Sequence, residues 1–230
     1  MMRTRQAIYL APPGESSLHA FARSWLGRDA ITGERFAQPS IAGIAPSRLE
    51  DITRSPRRYG FHATLKAPFR LAEGTTVDLF HQTARAFAGS WPAFEIELEV
   101  SSLRGFIALT TVRSTPELER FEAACVRSFE PFRAPLNDEE LERRRPSLLS
   151  EAQRANLERW GYPYVMEEFR FHMTLTDRLA GPEHDLLLAE LRERTTNLVA
   201  EPFLVDRLCI FEELVAAGDF RQTAAYPLTG

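Results

Sequence analysis

The chain has 230 residues, 44% of them hydrophobic and 26% charged, with a formal net charge of −4. A chain of this length buries roughly 70–75% of the surface its unfolded form exposes, so it can hold a core without disulfides or a structural metal. The acidic balance argues against a broad nucleic-acid surface while leaving room for a local basic pocket.

Cys125 and Cys209 stand alone, neither in a C-x-x-C pair nor beside a histidine. No stretch approaches the ~20 apolar residues of a membrane span, and the run after Met1-Met2-Arg3-Thr4-Arg5 is too short for a signal-peptide core. These features predict a cytoplasmic protein, one two-lobed domain over residues 1–230, with no metal, cofactor or membrane partner. Of the 28 basic residues, a single one, Lys66, is a lysine.

In chain order, residues 7–10 read as a short strand. Leu18, Phe21, Ala22, Trp25 and Leu26 follow i, i+3, i+4, i+7, i+8 spacing on one helix face, which Gly27 ends. Residues 28–58, rich in Pro, Gly, Ser and Arg, read as a long loop. A strand is predicted at 60–66, stopped by Pro68, and a helix at 76–88. Residues 94–100 alternate as a half-buried strand, with 106–112 as its hairpin partner. Pro116 opens a helix running to about 129. Residues 131–164 read as a helical insertion in which Ser150-Glu151-Ala152-Gln153 is a capping box and Gly161 a stop. A strand at 167–176, a helix at 182–196 and strands at 203–211 and 220–227 complete an α+β pattern with mostly antiparallel pairing.

The informative feature is an internal echo. Phe61-His62-Ala63-Thr64-Leu65 and Phe171-His172-Met173-Thr174-Leu175 share Phe-His-x-Thr-Leu, 110 residues apart (172 − 62). Strand side chains alternate, so His62 and Thr64 share one face and His172 and Thr174 share another, backed by apolar residues. Brought side by side, two such strands make a cleft with two imidazoles and two hydroxyls. That set suits phosphodiester chemistry without metal. One neutral imidazole activates the attacking oxygen, one protonated imidazole serves the leaving oxygen, and Thr hydroxyls hold the phosphate. The sequence does not say which histidine is acid and which is base.

Extending the alternation puts Lys66 and Arg170 on the same faces as supporting cations, against the ordinary alternative of a rim lysine and arginine. Tyr9 on the first strand and Arg133 in the insertion are further substrate-binding candidates. The Arg143-Arg144-Arg145 run follows a Glu-rich segment and reads better as a solvated helix face than as a phosphate clamp. His19, His81 and His184 have no motif context.

The paired H-x-T motifs resemble the 2H phosphoesterase superfamily. Several segments resemble more closely the phosphonate-metabolism family grouped as DUF1045. They include Trp25-Leu26-Gly27-Arg28-Asp29, Tyr59-Gly60-Phe61-His62, Phe132-Arg133-Ala134-Pro135-Leu136 and Trp160-Gly161-Tyr162-Pro163. The last 50 residues carry no matching motif. The resemblance implies a bilobal, pseudo-two-fold fold, with two mostly antiparallel sheets flanking a central cleft and helices outside. It also implies a metal-independent phosphoesterase acting on a small phosphorylated sugar or nucleotide, in a setting where a ribosyl cyclic phosphate fits. Two other readings stand beside it: an RNA-end 2′,3′-cyclic phosphodiesterase or ligase-like enzyme, and a non-catalytic phosphate-ligand-binding accessory protein.

Overall fold

The computed structural model describes residues 4–113, 115–144 and 146–230. In chain order the elements are β1 (Gln6–Leu10), α1 (Ser17–Leu26), α2 (Pro46–Ile52), α3 (Arg54–Tyr59), β2 (Ala63–Phe69), α4 (Val77–Gly89), β3 (Phe94–Ile96), β4 (Leu98–Leu103) and β5 (Phe106–Thr111). There follow α5 (Pro116–Ser128), α6 (Asp138–Arg143), α7 (Glu151–Trp160), β6 (His172–Thr174), α8 (Gly181–Thr195), β7 (Phe203–Val205), β8 (Arg207–Glu213) and β9 (Phe220–Pro227).

Seven strands form one sheet in the order β4-β5-β6-β2-β1-β8-β9, antiparallel at every step. The α+β class and antiparallel pairing are as the sequence predicts. The two sheets expected for the two halves run together into one, because β2 and β6 pair at Ala63–Met173. The echoed motifs therefore meet at the seam.

One face of the sheet carries the main core. Ile8, Leu10, Ala63, Leu65, Leu109 and Met173 pack there with Trp25 of α1, Phe80 of α4, Phe121 of α5 and Leu187 of α8. The other face carries a small cluster, Ala7, Tyr9, Ala11, Cys209, Phe211 and Phe220. Alternation along β1 thus sends even residues to the helices and odd residues to the opposite face. Both cysteines are buried free thiols. Among the described residues no helix is long and apolar enough to cross a membrane.

Local chemistry accounts for most boundaries. Ser16 caps α1 by accepting the His19 N–H, and Gly27 ends it at φ 73°. The Ser150–Gln153 capping box is formed in both directions, and Gly161 stops α7 at φ 70°. Pro116 sits in the first turn of α5.

Four expectations need adjusting. The 28–58 loop contains α2 and α3. Residues 94–100 divide between β3, which pairs with β7 in a separate two-stranded sheet, and β4, which pairs with β5. β2 runs through Pro68 rather than stopping before it. At that end β2 is paired only with β1, so the missing N–H falls on an unpaired side. The strand predicted at 167–176 is confined to His172–Thr174 because a 3₁₀ turn at Met166–Glu168 precedes it.

Candidate active site

The antiparallel register at the seam assembles the site. Ala63 lies opposite Met173, so continuing the register sets His62 across from Thr174 and Thr64 across from His172. Tyr9 is opposite Thr64, and Thr110 is opposite His172, extending the row on each side. The four motif side chains form the floor of a cleft of about 350 Å³, whose walls include Tyr9, Tyr59, Tyr162 and Arg144.

The two histidines are held in the same way. His62 Nδ1 donates to the Gly60 carbonyl at 2.8 Å, and His172 Nδ1 donates to the Arg170 carbonyl at 2.7 Å. A carbonyl only accepts, so in each neutral ring the proton is on Nδ1 and Nε2 carries the lone pair. The Thr64 hydroxyl donates to that Nε2 of His62 at 3.2 Å. Tyr9 stacks on the His62 ring with centroids 3.6 Å apart and planes at 21°. Phe106 lies 5.6 Å from the His172 ring.

Burial pushes His62 down to about 4; the Gly60 carbonyl opposes that shift and the nearby His172 adds to it. Burial also lowers His172, against its bond to the Arg170 carbonyl and helped by the Arg104 charge. Near neutrality both rings are neutral.

Gly60 gives the geometry its local origin. It joins α3 to β2 at φ 79° and ψ 172°, a region essentially closed to other residues. A Cβ there would stand 2.4 Å from the Ala30 Cβ. Only glycine lets the chain turn here and aim its carbonyl at the imidazole two residues on.

Tyr9 lines the cleft as a candidate should, 1% exposed. Three other candidates lie elsewhere. Lys66 is not on the cleft face. The register shifts between Tyr9–Thr64 and Ile8–Lys66, a bulge that breaks the alternation and turns Lys66 to the helix side. There its Nζ donates to Glu130 Oε2 at 2.9 Å and to the Val126 carbonyl at 3.2 Å. Arg170 precedes β6, so strand alternation does not reach it. Its exposed guanidinium bonds the Glu167 and Phe169 carbonyls and lines a separate groove beside α5. What Arg170 gives the site is its backbone carbonyl. Arg133 pairs with Glu130 at 2.6 Å and fills the space under Gly161, where a Cβ would meet it at 2.9 Å. It braces the two ends of the 131–164 segment and does not reach the cleft.

Sequence reasoning undervalued the arginine run and missed the tyrosines. Arg143 and Arg144 line the cleft, while Arg145 lies outside the described residues. Tyr162 follows Gly161 directly, and the positive φ that ends α7 turns the chain back over the sheet. Tyr59 stacks on Phe220 at 5.1 Å. The other signature segments are braces. Trp25 Nε1 donates to the Leu175 carbonyl at 2.9 Å, tying α1 to the end of β6. Arg28, 3% exposed, donates to the carbonyls of Arg57 and Phe220, fixing the approach to Gly60. Among the described residues no three His, Cys, Asp or Glu side chains converge on a metal site.

Fold and site together define an α+β protein in which two H-x-T strands, paired across the middle of one antiparallel sheet, floor a tyrosine- and arginine-walled cleft. The chain belongs to the family described as "Protein of unknown function (DUF1045)", whose model matches residues 64–221. It is 39% identical, over 99% of its length, to the Janthinobacterium sp. (strain Marseille) protein named Ribose 1,5-bisphosphate phosphokinase PhnN. It is 35% identical, over 94% of its length, to the protein of the same name in Laribacter hongkongensis (strain HLHK9). It covers 51% and 50% of those proteins, so the chain spans about half the length of the curated relatives it matches. Among solved structures, TT0787 of Thermus thermophilus is 14% identical with a TM-score of 0.46, covering 98% of each chain. E. coli LigT in complex with NADP+ is 13% identical with a TM-score of 0.44, covering 100% of each.

Proposed function

We propose that the protein is a metal-independent phosphoesterase of the 2H type that opens a small cyclic phosphodiester, with a ribosyl 1,2-cyclic phosphate as its substrate. One observation carries the reading: two His–Thr pairs face each other across the β2–β6 seam, each Nδ1 bound to the carbonyl two residues back. The His172 Nε2 lone pair is thereby available to groups in the cleft, and that of His62, which accepts the Thr64 hydroxyl, is released when Thr64 turns to the phosphate, one for each end of an in-line displacement.

His62, whose imidazole burial pushes down to about 4, is the base. Its Nε2 takes a proton from water, the water oxygen bonds to phosphorus, and the ring P–O bond to the sugar breaks. His172, protonated as the anionic substrate binds, gives its proton to the departing sugar oxygen. The product is a phosphomonoester and a free hydroxyl, with one water consumed. Thr64 and Thr174 donate to the non-bridging oxygens as charge builds on them. With an imidazole at each end, the reaction needs no metal-bound water.

The relatives' name supports the choice of sugar. Opening a 5-phosphoribosyl 1,2-cyclic phosphate at the 2-oxygen yields ribose 1,5-bisphosphate, the compound named as substrate of those kinases. Kinase chemistry itself has no phosphate-loop lysine in this chain. Lys66 is the single lysine, on a strand after Ala63-Thr64-Leu65 rather than in a G-x-x-x-x-G-K-[ST] loop. We therefore assign hydrolysis to this half and phosphorylation to the half of the relatives that this chain does not cover.

The test is ³¹P NMR of the purified protein with ribose 1,2-cyclic phosphates, with and without a 5-phosphate, in excess chelator. The expected result is conversion of the cyclic resonance to a 1-phosphate monoester. No conversion of either compound, or conversion only after adding a divalent metal, overturns the reading.

A further inference from the structure

The cleft has a cation that the hydrolytic chemistry leaves unused. Most guanidinium groups around it are already engaged. Arg5 binds Glu213 through two bonds of 2.8 and 2.7 Å, Arg58 binds Glu213 and the Gly218 carbonyl, and Arg70 is held by Glu140. Arg144 differs. Among the described residues its side chain has no hydrogen bond and no ion pair. It rests over the Tyr162 ring, 4.9 Å from the centroid. No hydrogen bond among the described residues engages the hydroxyls of Tyr59 and Tyr162, which line the same cleft.

We propose that Arg144, with the hydroxyls of Tyr59 and Tyr162, forms a second anion subsite that takes a phosphate monoester carried by the substrate away from its cyclic phosphate. The proposal rests on the phosphoesterase reading for the identity of that substrate and makes the enzyme selective for doubly phosphorylated sugars.

Four physical points support it. A half-buried guanidinium with no ion pair among the described residues has lost hydration without gaining a bonded counter-ion, since Glu140 is taken by Arg70 and acts on it only at longer range, and an anion in the cleft supplies one. Arginine presents a planar fork of donors matched to phosphate oxygens, and phenols add donors without charge. Burial lowers the Arg144 guanidinium from its usual value, with the nearby Tyr162 and Tyr59 opposing that shift. At about 350 Å³ the cleft lies at the small end of ligand sites, fitting a sugar bisphosphate better than a nucleic-acid strand. The 131–164 segment thereby gains a role. It carries Arg144 and Tyr162 over a floor made by the sheet, so the two phosphates of one ligand would be read by two parts of the chain.

The experiment compares kcat/KM for ribose 1,2-cyclic phosphate with and without a 5-phosphate, in wild type, Arg144→Gln and Arg144→Lys. It adds calorimetric titration with ribose 5-phosphate and, as a blank, ribose. The expected result is a 10- to 100-fold loss for Arg144→Gln on the 5-phosphorylated compound, against under threefold on the other, with partial recovery in Arg144→Lys. Ribose 5-phosphate affinity should fall at least tenfold in Arg144→Gln. Equal losses on both compounds, or unchanged ribose 5-phosphate binding, overturn the subsite. If wild type turns over neither compound, the phosphoesterase reading fails, while the titration still decides the subsite.

Discussion

The fate of the one lysine makes a sharp quantitative prediction. Lys66 is 3% exposed, and its ammonium is matched by Glu130, which also receives Arg133. The two partners are not equivalent under substitution. Lys66→Met keeps most of the stem volume and leaves Glu130, itself partly exposed, paired with Arg133. The cost is a bond to Glu130 and one to the Val126 carbonyl, about 1–2 kcal/mol. Glu130→Gln leaves a buried ammonium with only the neutral Val126 carbonyl and amide oxygen, beside the positive Arg133, at a cost of about 3–5 kcal/mol. In the double variant most of that larger loss is recovered. Lys66→Arg must fit a longer, planar group into the same space and should cost about 1–3 kcal/mol through overpacking. Urea unfolding at pH 7 measures all four. For each variant that remains folded, kcat on the cyclic phosphodiester should stay within threefold of wild type. Equal destabilisation by the two single substitutions would refute the pairing argument. A hundredfold loss of kcat in a stably folded Lys66→Met would return Lys66 to the chemistry.

Three other predictions follow from the same geometry. With ribose 1,2-cyclic phosphate, which has no second titrating phosphate, kcat/KM should rise as pH increases through about 4, as His62 deprotonates. It should fall again below the ordinary imidazole value of about 6.5 as His172 loses its proton, and a maximum above pH 7 would contradict the assignment. Gly60→Ala forces a side chain into a closed backbone region and onto Ala30, so the melting temperature should drop by an amount equivalent to about 2–4 kcal/mol. The His62 Nδ1–H signal in NMR should shift or vanish as its carbonyl moves, and an unchanged signal would contradict the proposed positioning. Burial raises Glu122 to about 8, and among the described residues its Oε1 has no partner. The folded state thus holds a proton that the unfolded state releases above pH 4.5, and stability declines from there to about 8. Glu122→Gln, which does not titrate, should gain on wild type by about 2–4 kcal/mol between pH 5 and pH 8, read by denaturant titration at each pH. A constant difference would contradict it.

Much of the site was legible because it depends on period-two alternation in two short strands. His62 and Thr64 needed only the strand rule, and the echo supplied the partner strand; the role of Gly60 lies in its positive φ before β2, which that rule does not reach. The rule failed where the backbone departs from it. The bulge after Thr64 is invisible in Leu65-Lys66-Ala67, all residues a regular strand accepts, and it alone decides that Lys66 faces α5. Arg170 failed because the 3₁₀ turn at Met166–Glu168 delays β6, and nothing in Glu167-Glu168-Phe169 marks that delay. The α2 and α3 helices were hidden by Pro46, Pro56 and the arginines, which composition alone reads as loop. Arg144 and Tyr162 were beyond reach for another reason. They meet the sheet through tertiary folding of the 131–164 segment, and no local period encodes which cation faces the cleft.

The central claim is that His62 and His172 work as one acid–base pair across the β2–β6 seam. The most direct measurement is the rate of ring opening of 5-phosphoribosyl 1,2-cyclic phosphate, in chelator, by wild type, His62→Ala, His172→Ala and the double variant. Groups that act as a unit are strongly non-additive, so each single substitution should cost about 10³-fold or more in kcat and the double little beyond that. Turnover surviving in both single variants, or losses that simply multiply in the double, would contradict the account.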